Sequence, residues 1–229
     1  MNKSVIIVAG GAGLRMKTEI PKQFLILAGK PILMHSISKF YAADSTIEIV
    51  VVLPFEHIAT WDLLCSKHRF IVPHQIVSGG TERYHSVKNG LSVVDPEGLV
   101  AVHDGVRPLV SLSLILQGFR FAAEHKSAVP VVALTESLRK LDEISNHPVD
   151  RRQFCLVQTP QTFQTRLLLK AYETDFRPEF TDDAAVFEAA GNPVNLIEGI
   201  AENIKITTPL DLVIAETLFK HQNEQNFQV

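Results

Sequence analysis

Cysteine, net charge and long apolar runs are all scarce in this sequence. Its only two cysteines, Cys65 and Cys155, lie far apart and outside any CxxC spacing, so they can form neither a disulfide framework nor a structural zinc site. This cysteine usage fits a reducing compartment, and we expect a cytoplasmic protein. With 22 Lys and Arg against 25 Asp and Glu, the formal net charge is -3, which gives no global field to attract nucleic acid. Any polyanion would therefore have to be bound by a local site rather than by the overall charge of the protein.

No segment has the length of a membrane span or the character of a linker. The first apolar run, residues 5–9, ends at Gly10 and is too short for a signal sequence or a transmembrane helix. Repeats, low-complexity tracts and linkers rich in Gly, Ser or Pro are also missing from the sequence. Because 229 residues with 46% hydrophobic content can bury a large core, we expect one domain over residues 1–229 and no contact with a membrane.

Short runs rich in β-branched residues alternate with segments of helical periodicity. The strands are predicted at residues 5–8, 47–53, 75–77, 99–103, 128–133 and 194–197. The helices are predicted at residues 32–41, 57–67, 84–94, 112–125, 165–174, 182–190 and 209–219. Thr208 is the expected N-cap of the last helix, with Pro209 at its first position and Asp211 three residues after the cap. This alternation predicts an α/β fold with a mostly parallel sheet.

One polar stretch, residues 135–153, interrupts the alternation. It is too long for an ordinary connection and too polar for a core strand. Apolar residues recur within it at Leu138, Leu141 and Ile144. We expect a protruding hairpin or arm, which a partner subunit would order; a solvated mobile loop is the alternative.

A glycine-rich segment follows the first predicted strand. Gly10, Gly11 and Gly13 allow the backbone to approach a bulky anion without obstruction by a Cβ atom. The spacing matches neither a P-loop nor a dinucleotide fingerprint. Arg15 and Lys22 follow, and two cations beside a triphosphate would offset its repulsion of a second anionic reactant. We therefore predict a phosphate-binding turn, against the alternative of an ordinary turn with two solvated cations.

A second glycine pair, Gly79 and Gly80, lies between a predicted strand and a predicted helix. Glycines here would let a flat base lie against the main chain. Arg83 and Ser86, three residues apart on the first turn of the helix, would share a face. Because glycine pairs before helices are common, a simple turn is an equally good interpretation.

Asp104 ends the apolar strand at residues 99–103. A carboxylate at the carboxyl end of a parallel strand points to the crevice where open α/β sheets bind ligands. Asp104 is therefore a candidate ligand of Mg²⁺ on phosphate oxygens, and Arg107 could steady it or touch substrate. His103, still inside the strand, is expected to be packed or hydrogen-bonded, since no nucleophile is spaced to use it as a base. The other histidines lack metal-binding spacing.

In their order and spacing, these motifs resemble those of the 2-C-methyl-D-erythritol 4-phosphate cytidylyltransferases of the non-mevalonate isoprenoid pathway. The matching segments lie at residues 10–16, 21–23, 79–83, 86, 103–108, 159–161, 181–182 and 202–207. The resemblance spans the chain to about residue 219 and implies a Rossmann-like, mostly parallel sheet of the nucleotidyltransferase type. It also implies a protruding β-arm for dimerisation at about residues 135–153, exchanged across a homodimer.

The resemblance implies a reaction and a set of site residues. A sugar-alcohol phosphate would attack the α-phosphorus of CTP with the help of Mg²⁺, releasing pyrophosphate and leaving a CDP-alcohol. Four positions match catalytic residues of the family. Arg15 and Lys22 match those that stabilise the transition state, and Arg151 and Lys205 match those that position the phosphate nucleophile. The positions that match substrate-binding residues are Gly10, Gly11, Gly13, Gly80, Arg83, Ser86, Asp104, Arg107, Ser137 and Thr181. Asp104 is also the expected metal ligand.

Three alternatives stand beside this interpretation. The ribitol-5-phosphate cytidylyltransferases share the nucleotide-binding motifs, although residues 198–207 resemble the methylerythritol enzymes more closely. A nucleotide-binding module without catalysis would be expected to lose a reactive cation, whereas Arg15, Lys22, Arg151 and Lys205 are all present. A sugar-nucleotide synthetase that uses another base is the third, because the motifs alone do not fix the base.

Overall fold

The computed structural model describes residues 1–11, 16 and 20–226, without the side chains of residues 222–226. The strands are β1 (Lys3–Val8), β2 (Ile26–Leu27), β3 (Lys30–Pro31), β4 (Glu48–Leu53), β5 (Gln75–Ser78), β6 (Leu99–Asp104), β7 (Ser127–Ala133), β8 (Leu138–Leu141), β9 (Asn146–Val149), β10 (Cys155–Val157), β11 (Gln161–Gln164) and β12 (Leu196–Glu198). The helices are α1 (Ile32–Ala43), α2 (Phe55–His68), α3 (Arg83–Leu91), α4 (Leu112–His125), α5 (Thr165–Ala171), α6 (Asp183–Ala189) and α7 (Pro209–Asn226).

Eight strands form the central sheet. Seven of them follow the order β10-β7-β11-β6-β1-β4-β5, and β12 pairs with β7. The neighbours β6, β1, β4 and β5 are parallel, as is the pair β12 and β7. Strand β11 runs antiparallel to both β6 and β7, and β10 runs antiparallel to β7. The prediction of an α/β fold with a mostly parallel sheet is confirmed, and each predicted strand and helix has a counterpart.

The central strand β1 is buried on both faces, as its continuous apolar run requires. Ile6 and Ile7 have no solvent-exposed surface and, as neighbours on a strand, point to opposite faces of the sheet. Ile7 belongs to the core cluster that contains Phe119 of α4, and Ile6 belongs to the cluster that contains Phe187 of α6. Helices therefore cover both faces, which leaves the ends of the strands open for a cleft.

The predicted start of α7 is present in the structure. The Asp211 backbone N–H donates to Thr208 Oγ1 at 3.3 Å, and the Thr208 N–H donates to Asp211 Oδ2 at 2.7 Å. This reciprocal pair satisfies two backbone donors that the first turn of a helix leaves open.

A hairpin of β8 and β9 lies inside the polar stretch at residues 135–153. The two strands pair antiparallel from Leu138 opposite Val149 to Leu141 opposite Asn146. Ile144, at the tip, is fully exposed, and Leu141 is 78% exposed. The predicted hairpin is thus found, while its contact with a partner subunit stays a prediction.

Two expectations about the rest of the chain are addressed by the structure. Among the described residues, no helix combines the length and the apolar character needed to span a bilayer. Cys65 and Cys155 are both free thiols, the first half-buried and the second exposed.

Candidate active site

A cavity of about 280 Å³ opens at the carboxyl ends of the parallel strands. Several chain segments converge there because the strands β1, β4, β5 and β6 all end at the same edge of the sheet. The residues on its wall include Gly10, Gly11, Lys22, Gln23, Gly80, Arg83, Asp104 and Lys205. A Cβ atom on Gly11 would lie 3.3 Å from Lys22 Cε, so the glycine lets the backbone pass close to this lysine.

A second cavity of about 200 Å³ adjoins the first. Arg107, Gln158, Gln161 and Thr181 are among its lining residues. Three charged residues, Arg83, Asp104 and Lys205, line both cavities. The two spaces therefore share one charged wall.

Asp104 lies at the centre of that wall and is 7% exposed. Its Oδ2 lies 3.2 Å from Arg107 Nε and 3.1 Å from Lys205 Nζ, and its Oδ1 lies 3.9 Å from Arg83 Nε. Burial alone would raise the pKa of Asp104, but the positive charges of these three residues outweigh burial and hold the pKa well below its usual value. The carboxylate is therefore ionised at neutral pH.

Arg83 is held by a carboxylate that sequence analysis did not single out. Its Nη1 and Nη2 donate to the two oxygens of Asp183 at 3.0 and 2.7 Å, and Asp183 has no exposed surface. The hydroxyl of Tyr172 donates to Asp183 Oδ1 at 2.7 Å. Burial opposes the charge of the guanidinium, but Asp183 and Asp104 outweigh it and raise the pKa of Arg83 above its usual value. Arg83 is thus a fixed cation between the two cavities.

The turn before α3 is closed by its own hydrogen bonds. The Gly80 N–H donates to Ser86 Oγ at 3.1 Å, and the Ser86 hydroxyl donates to the carbonyl oxygen of Glu82 at 3.1 Å. A Cβ atom on Gly80 would lie only 2.3 Å from His85 Cβ, so close packing alone requires glycine here. Gly80 lies on the wall of the first cavity, while Ser86 supports the turn from a buried position. Contact of either residue with a base stays a prediction.

His103 connects the groups around Asp104. The Asp104 N–H donates to Thr159 Oγ1 at 3.0 Å, and the Thr159 hydroxyl lies 3.2 Å from His103 Nδ1. His103 Nε2 lies 3.2 Å from the carbonyl oxygen of Arg107, which can only accept, so Nε2 carries the proton and Nδ1 accepts from Thr159. Burial lowers the pKa of His103 to about 4. The prediction of a packed, hydrogen-bonded histidine is confirmed.

Comparison with known proteins identifies the family. The family model described as 2-C-methyl-D-erythritol 4-phosphate cytidylyltransferase matches residues 4–221. The chain belongs to this family. A protein of that name from Bacteroides thetaiotaomicron is 52% identical over 95% of this chain and 100% of its own length. One from Porphyromonas gingivalis is 50% identical over 93% of this chain and 96% of its own length.

Solved structures of cytidylyltransferases share the fold. The 2-C-methyl-D-erythritol 4-phosphate cytidylyltransferase of Thermus thermophilus is 32% identical, with a TM-score of 0.74 over 95% of this chain and 98% of that one. The 4-diphosphocytidyl-2C-methyl-D-erythritol synthase of Anaerococcus prevotii is 27% identical, with a TM-score of 0.80 over 96% of this chain and 100% of that one. These relatives support the methylerythritol interpretation rather than the alternatives set beside it.

The structure brings together most, but not all, of the residues that the cytidylyltransferase motifs predict. Those at the two cavities are Gly10, Gly11, Lys22, Gly80, Arg83, Asp104, Arg107, Thr181 and Lys205. Gly13 and Arg15 lie outside the described residues. Ser137 and Arg151 are exposed on either side of the hairpin of β8 and β9, and neither is among the residues that line the two cavities of this chain. Arg151 instead donates to the carbonyl oxygen of Thr135.

The expected Mg²⁺ can be tested against the donor groups present. Among the described residues, no group of three or more His, Cys, Asp or Glu side chains could hold a metal ion by itself. Asp104 offers one ionised carboxylate on the wall of both cavities. In phosphate sites Mg²⁺ takes one or two carboxylates and completes its shell with phosphate oxygens and water. The site therefore fits an ion that arrives with a nucleoside triphosphate.

Proposed function

We propose that this protein transfers CMP from CTP to 2-C-methyl-D-erythritol 4-phosphate, giving 4-diphosphocytidyl-2-C-methyl-D-erythritol and pyrophosphate for the non-mevalonate isoprenoid pathway. The family membership supports this substrate pair. The observation that carries the proposal is the wall of Arg83, Asp104 and Lys205 shared by two adjoining cavities. Such an arrangement suits two anionic substrates that react across a common boundary, with CTP in the larger cavity and the polyol phosphate in the smaller one.

The proposed step exchanges one phosphorus–oxygen bond for another. A phosphate oxygen of the acceptor forms a bond to the α-phosphorus of CTP, and the bond from the α-phosphorus to its bridging oxygen breaks. Pyrophosphate leaves with the electron pair of that bond. Two unit charges in contact near a protein surface repel each other by about 4 kcal/mol, so the protein has to supply positive charge before the anions can meet.

The cations of the site are placed to supply this positive charge. Lys22 lies beside the glycine backbone of the larger cavity, and Lys205 and Arg107 face the smaller one. Asp104 fixes the last two by ion pairs, so their geometry is set before substrate arrives. In this proposal Lys22, together with Arg15, stabilises charge that develops around the α-phosphorus. Lys205 and Arg151 orient the acceptor phosphate.

We also propose that Asp104 and the triphosphate oxygens of CTP hold Mg²⁺, which when bound would supply further positive charge to the phosphates. A homodimer in the cytoplasm completes the proposal. The exposed apolar side chains Leu141 and Ile144 on the hairpin support contact with a second subunit, and the free thiols of Cys65 and Cys155 are consistent with a reducing compartment.

The decisive experiment is an assay of acceptors. Purified protein is incubated with CTP and Mg²⁺ and with either 2-C-methyl-D-erythritol 4-phosphate or ribitol 5-phosphate, and pyrophosphate release is measured. Rapid release with the first acceptor and little with the second is expected. Preference for ribitol 5-phosphate would overturn the acceptor, and no release with either would favour a binding module without catalysis.

A further inference from the structure

One buried side chain on the wall of the larger cavity has no hydrogen-bond partner. Gln23 is 1% exposed and lines the same cavity as Gly11 and Lys22. Both atoms of its carboxamide, Oε1 and Nε2, are buried without a partner among the residues that the structure describes. Because a carboxamide has two donors and an acceptor, and buried polar groups in proteins are almost always bonded, this exception calls for a cause.

The fold satisfies the neighbouring buried glutamines. Gln161 has no exposed surface, but its Nε2 donates to Asp182 Oδ2 at 2.9 Å and its Oε1 accepts from the Ala184 N–H at 2.8 Å. Gln158 is 5% exposed and its Nε2 donates to the carbonyl oxygen of Ile200 at 2.8 Å. These two line the smaller cavity. Gln23, which lines the larger cavity, has no hydrogen-bond partner for either amide atom among the described residues.

Packing holds Gln23 in this position. It lies in the short 3-10 turn Lys22–Phe24, where the Phe24 N–H donates to the carbonyl oxygen of Pro21 at 2.8 Å. The ring of Phe24 stacks on Trp61 with 6.1 Å between centroids and 14° between planes, and Trp61 is completely buried. Trp61 Nε1 in turn donates to His74 Nε2 at 3.0 Å. The aromatic contact with α2 therefore fixes the turn that carries Gln23.

We propose that Gln23 is a nucleotide-dependent positioning residue, whose carboxamide gains its hydrogen bonds only when CTP occupies the larger cavity. The proposal rests on the proposed function for the identity of the nucleotide. Since Gln23 is itself part of the cavity lining, CTP bound there brings its oxygens, or the backbone of Gly10 and Gly11, within hydrogen-bond distance of the carboxamide. Hydrogen bonds that form in the bound state and are missing in the free state favour binding by their full free energy.

This arrangement predicts two effects of opposite sign from one substitution. Gln23→Met keeps the length of the side chain but removes both unmet polar atoms. The free protein should therefore become more stable, with Tm higher by about 2–4 °C. Binding of CTP with Mg²⁺, measured by calorimetry, should become weaker by roughly 10-fold because the bound state loses its hydrogen bonds. The KM for CTP should rise, with little change in the KM for the polyol phosphate.

Thr165→Val is the matched control. Thr165 is also fully buried with an unpartnered hydroxyl. Its N–H bonds the carbonyl oxygen of Gly98, just before β6 begins, at the opposite end of that strand from Asp104. Its replacement should raise or preserve Tm without changing the affinity for CTP. Should Gln23→Met fail to fold, Gln23→Leu tests the same loss.

A direct signal comes from the side-chain amide of wild-type protein labelled with ¹⁵N. The resonance pair that is missing in a Gln23 variant identifies the group, and addition of CTP and Mg²⁺ should shift it and slow its hydrogen exchange. Unchanged CTP affinity in the variant, together with an unmoved resonance, overturns the role of Gln23 while the proposed function stands. If wild-type protein binds no CTP, both fall together.

Discussion

Arg83 and Asp183, one hundred positions apart in the chain, form a two-point ion pair in which both guanidinium amino groups donate to the two carboxylate oxygens at 3.0 and 2.7 Å. Asp183 has no exposed surface, whereas the side chain of Arg83 is 27% exposed toward the cavities. The carboxylate thus anchors the arginine from the interior. This leaves Nε of the guanidinium free to face Asp104, whose Oδ1 lies 3.9 Å away on the wall that the two cavities share.

We expect Asp183→Asn to destabilise the fold strongly. The change leaves the half-buried Arg83 without its compensating charge, and removing one partner of such a pair costs about 3 kcal/mol or more. Tm should fall by roughly 6–12 °C for a chain of this size. Asp62→Asn is the control, because it removes an exposed carboxylate from α2 and should leave Tm nearly unchanged. Equal thermal shifts in the two variants would contradict the anchoring role of Asp183.

The sequence could not disclose this pair. Two aspartates at the start of a helix fit its N-terminal preference for acidic residues, and that interpretation holds for Asp182. The partner of Asp183 comes from the start of a distant helix, so only the tertiary fold brings the first residues of α3 and α6 together. The strand at Gln161–Gln164 was missed for a related reason. Gln161 and Thr162 are polar yet completely buried, and no hydrophobic pattern marks them.

The elements that could be predicted are those whose signals are local. The apolar run of β1, the capping pair Thr208 and Asp211 and the position of Asp104 at a strand end all follow from neighbouring residues. The matching segment at residues 21–23 also includes Gln23, but the turn that carries it is fixed by the stacking of Phe24 on Trp61, a contact between separate parts of the chain. Sequence pattern therefore predicted most of the residues that meet at the candidate site, and tertiary packing determined which side chains are fixed there.

Lys22→Ala should reduce turnover at least about 100-fold without unfolding the protein, because loss of one preorganised charge at a transition state has effects of this order. Arg15→Ala is expected to behave in the same way. Steady-state rates at saturating substrate and Tm are the measurements. Lys67→Ala removes an exposed cation from α2 and should leave the rate unchanged. Near-normal turnover in the Lys22 variant would refute its assignment.

Asp104→Asn should raise the concentration of Mg²⁺ needed for half-maximal turnover by about 10-fold or more, since the substitution keeps the shape of the side chain and removes the charge proposed to hold the ion. A magnesium titration at fixed CTP measures this shift. Asp44→Asn, which removes a carboxylate paired with Lys3, serves as a control. Identical magnesium curves for wild type and Asp104→Asn would point to a purely structural aspartate.

Stability should fall as the pH is lowered from 7 to 5, in part through His103. Its folded pKa of about 4 lies below its unfolded value of 6.5, so between these values the unfolded chain binds the extra proton and folding is disfavoured. The loss attributable to His103 between pH 7 and pH 5 is about 2 kcal/mol. Urea unfolding at both pH values measures it. His103→Gln should be less sensitive to pH by that amount, and an unchanged difference would exclude His103 as the cause.

The exposed position of Arg151 leads to a test of the proposed dimer. If the arm at residues 135–153 crosses to a second subunit, Arg151 serves the active site of the partner while Lys22 serves that of its own chain. Homodimers of Lys22→Ala and of Arg151→Ala should then both be nearly inactive. In a mixed dimer, however, one site collects both substitutions and the other collects none. Random refolding together makes about half of the dimers mixed, each with one intact site of two, so roughly a quarter of wild-type activity should return.

Each variant refolded alone is the control. If both residues act within one chain, every site keeps one lesion and nothing returns. Mixed dimers confirmed by mass but inactive would therefore rule out the exchanged arm and leave the cytidylyltransferase family assignment standing.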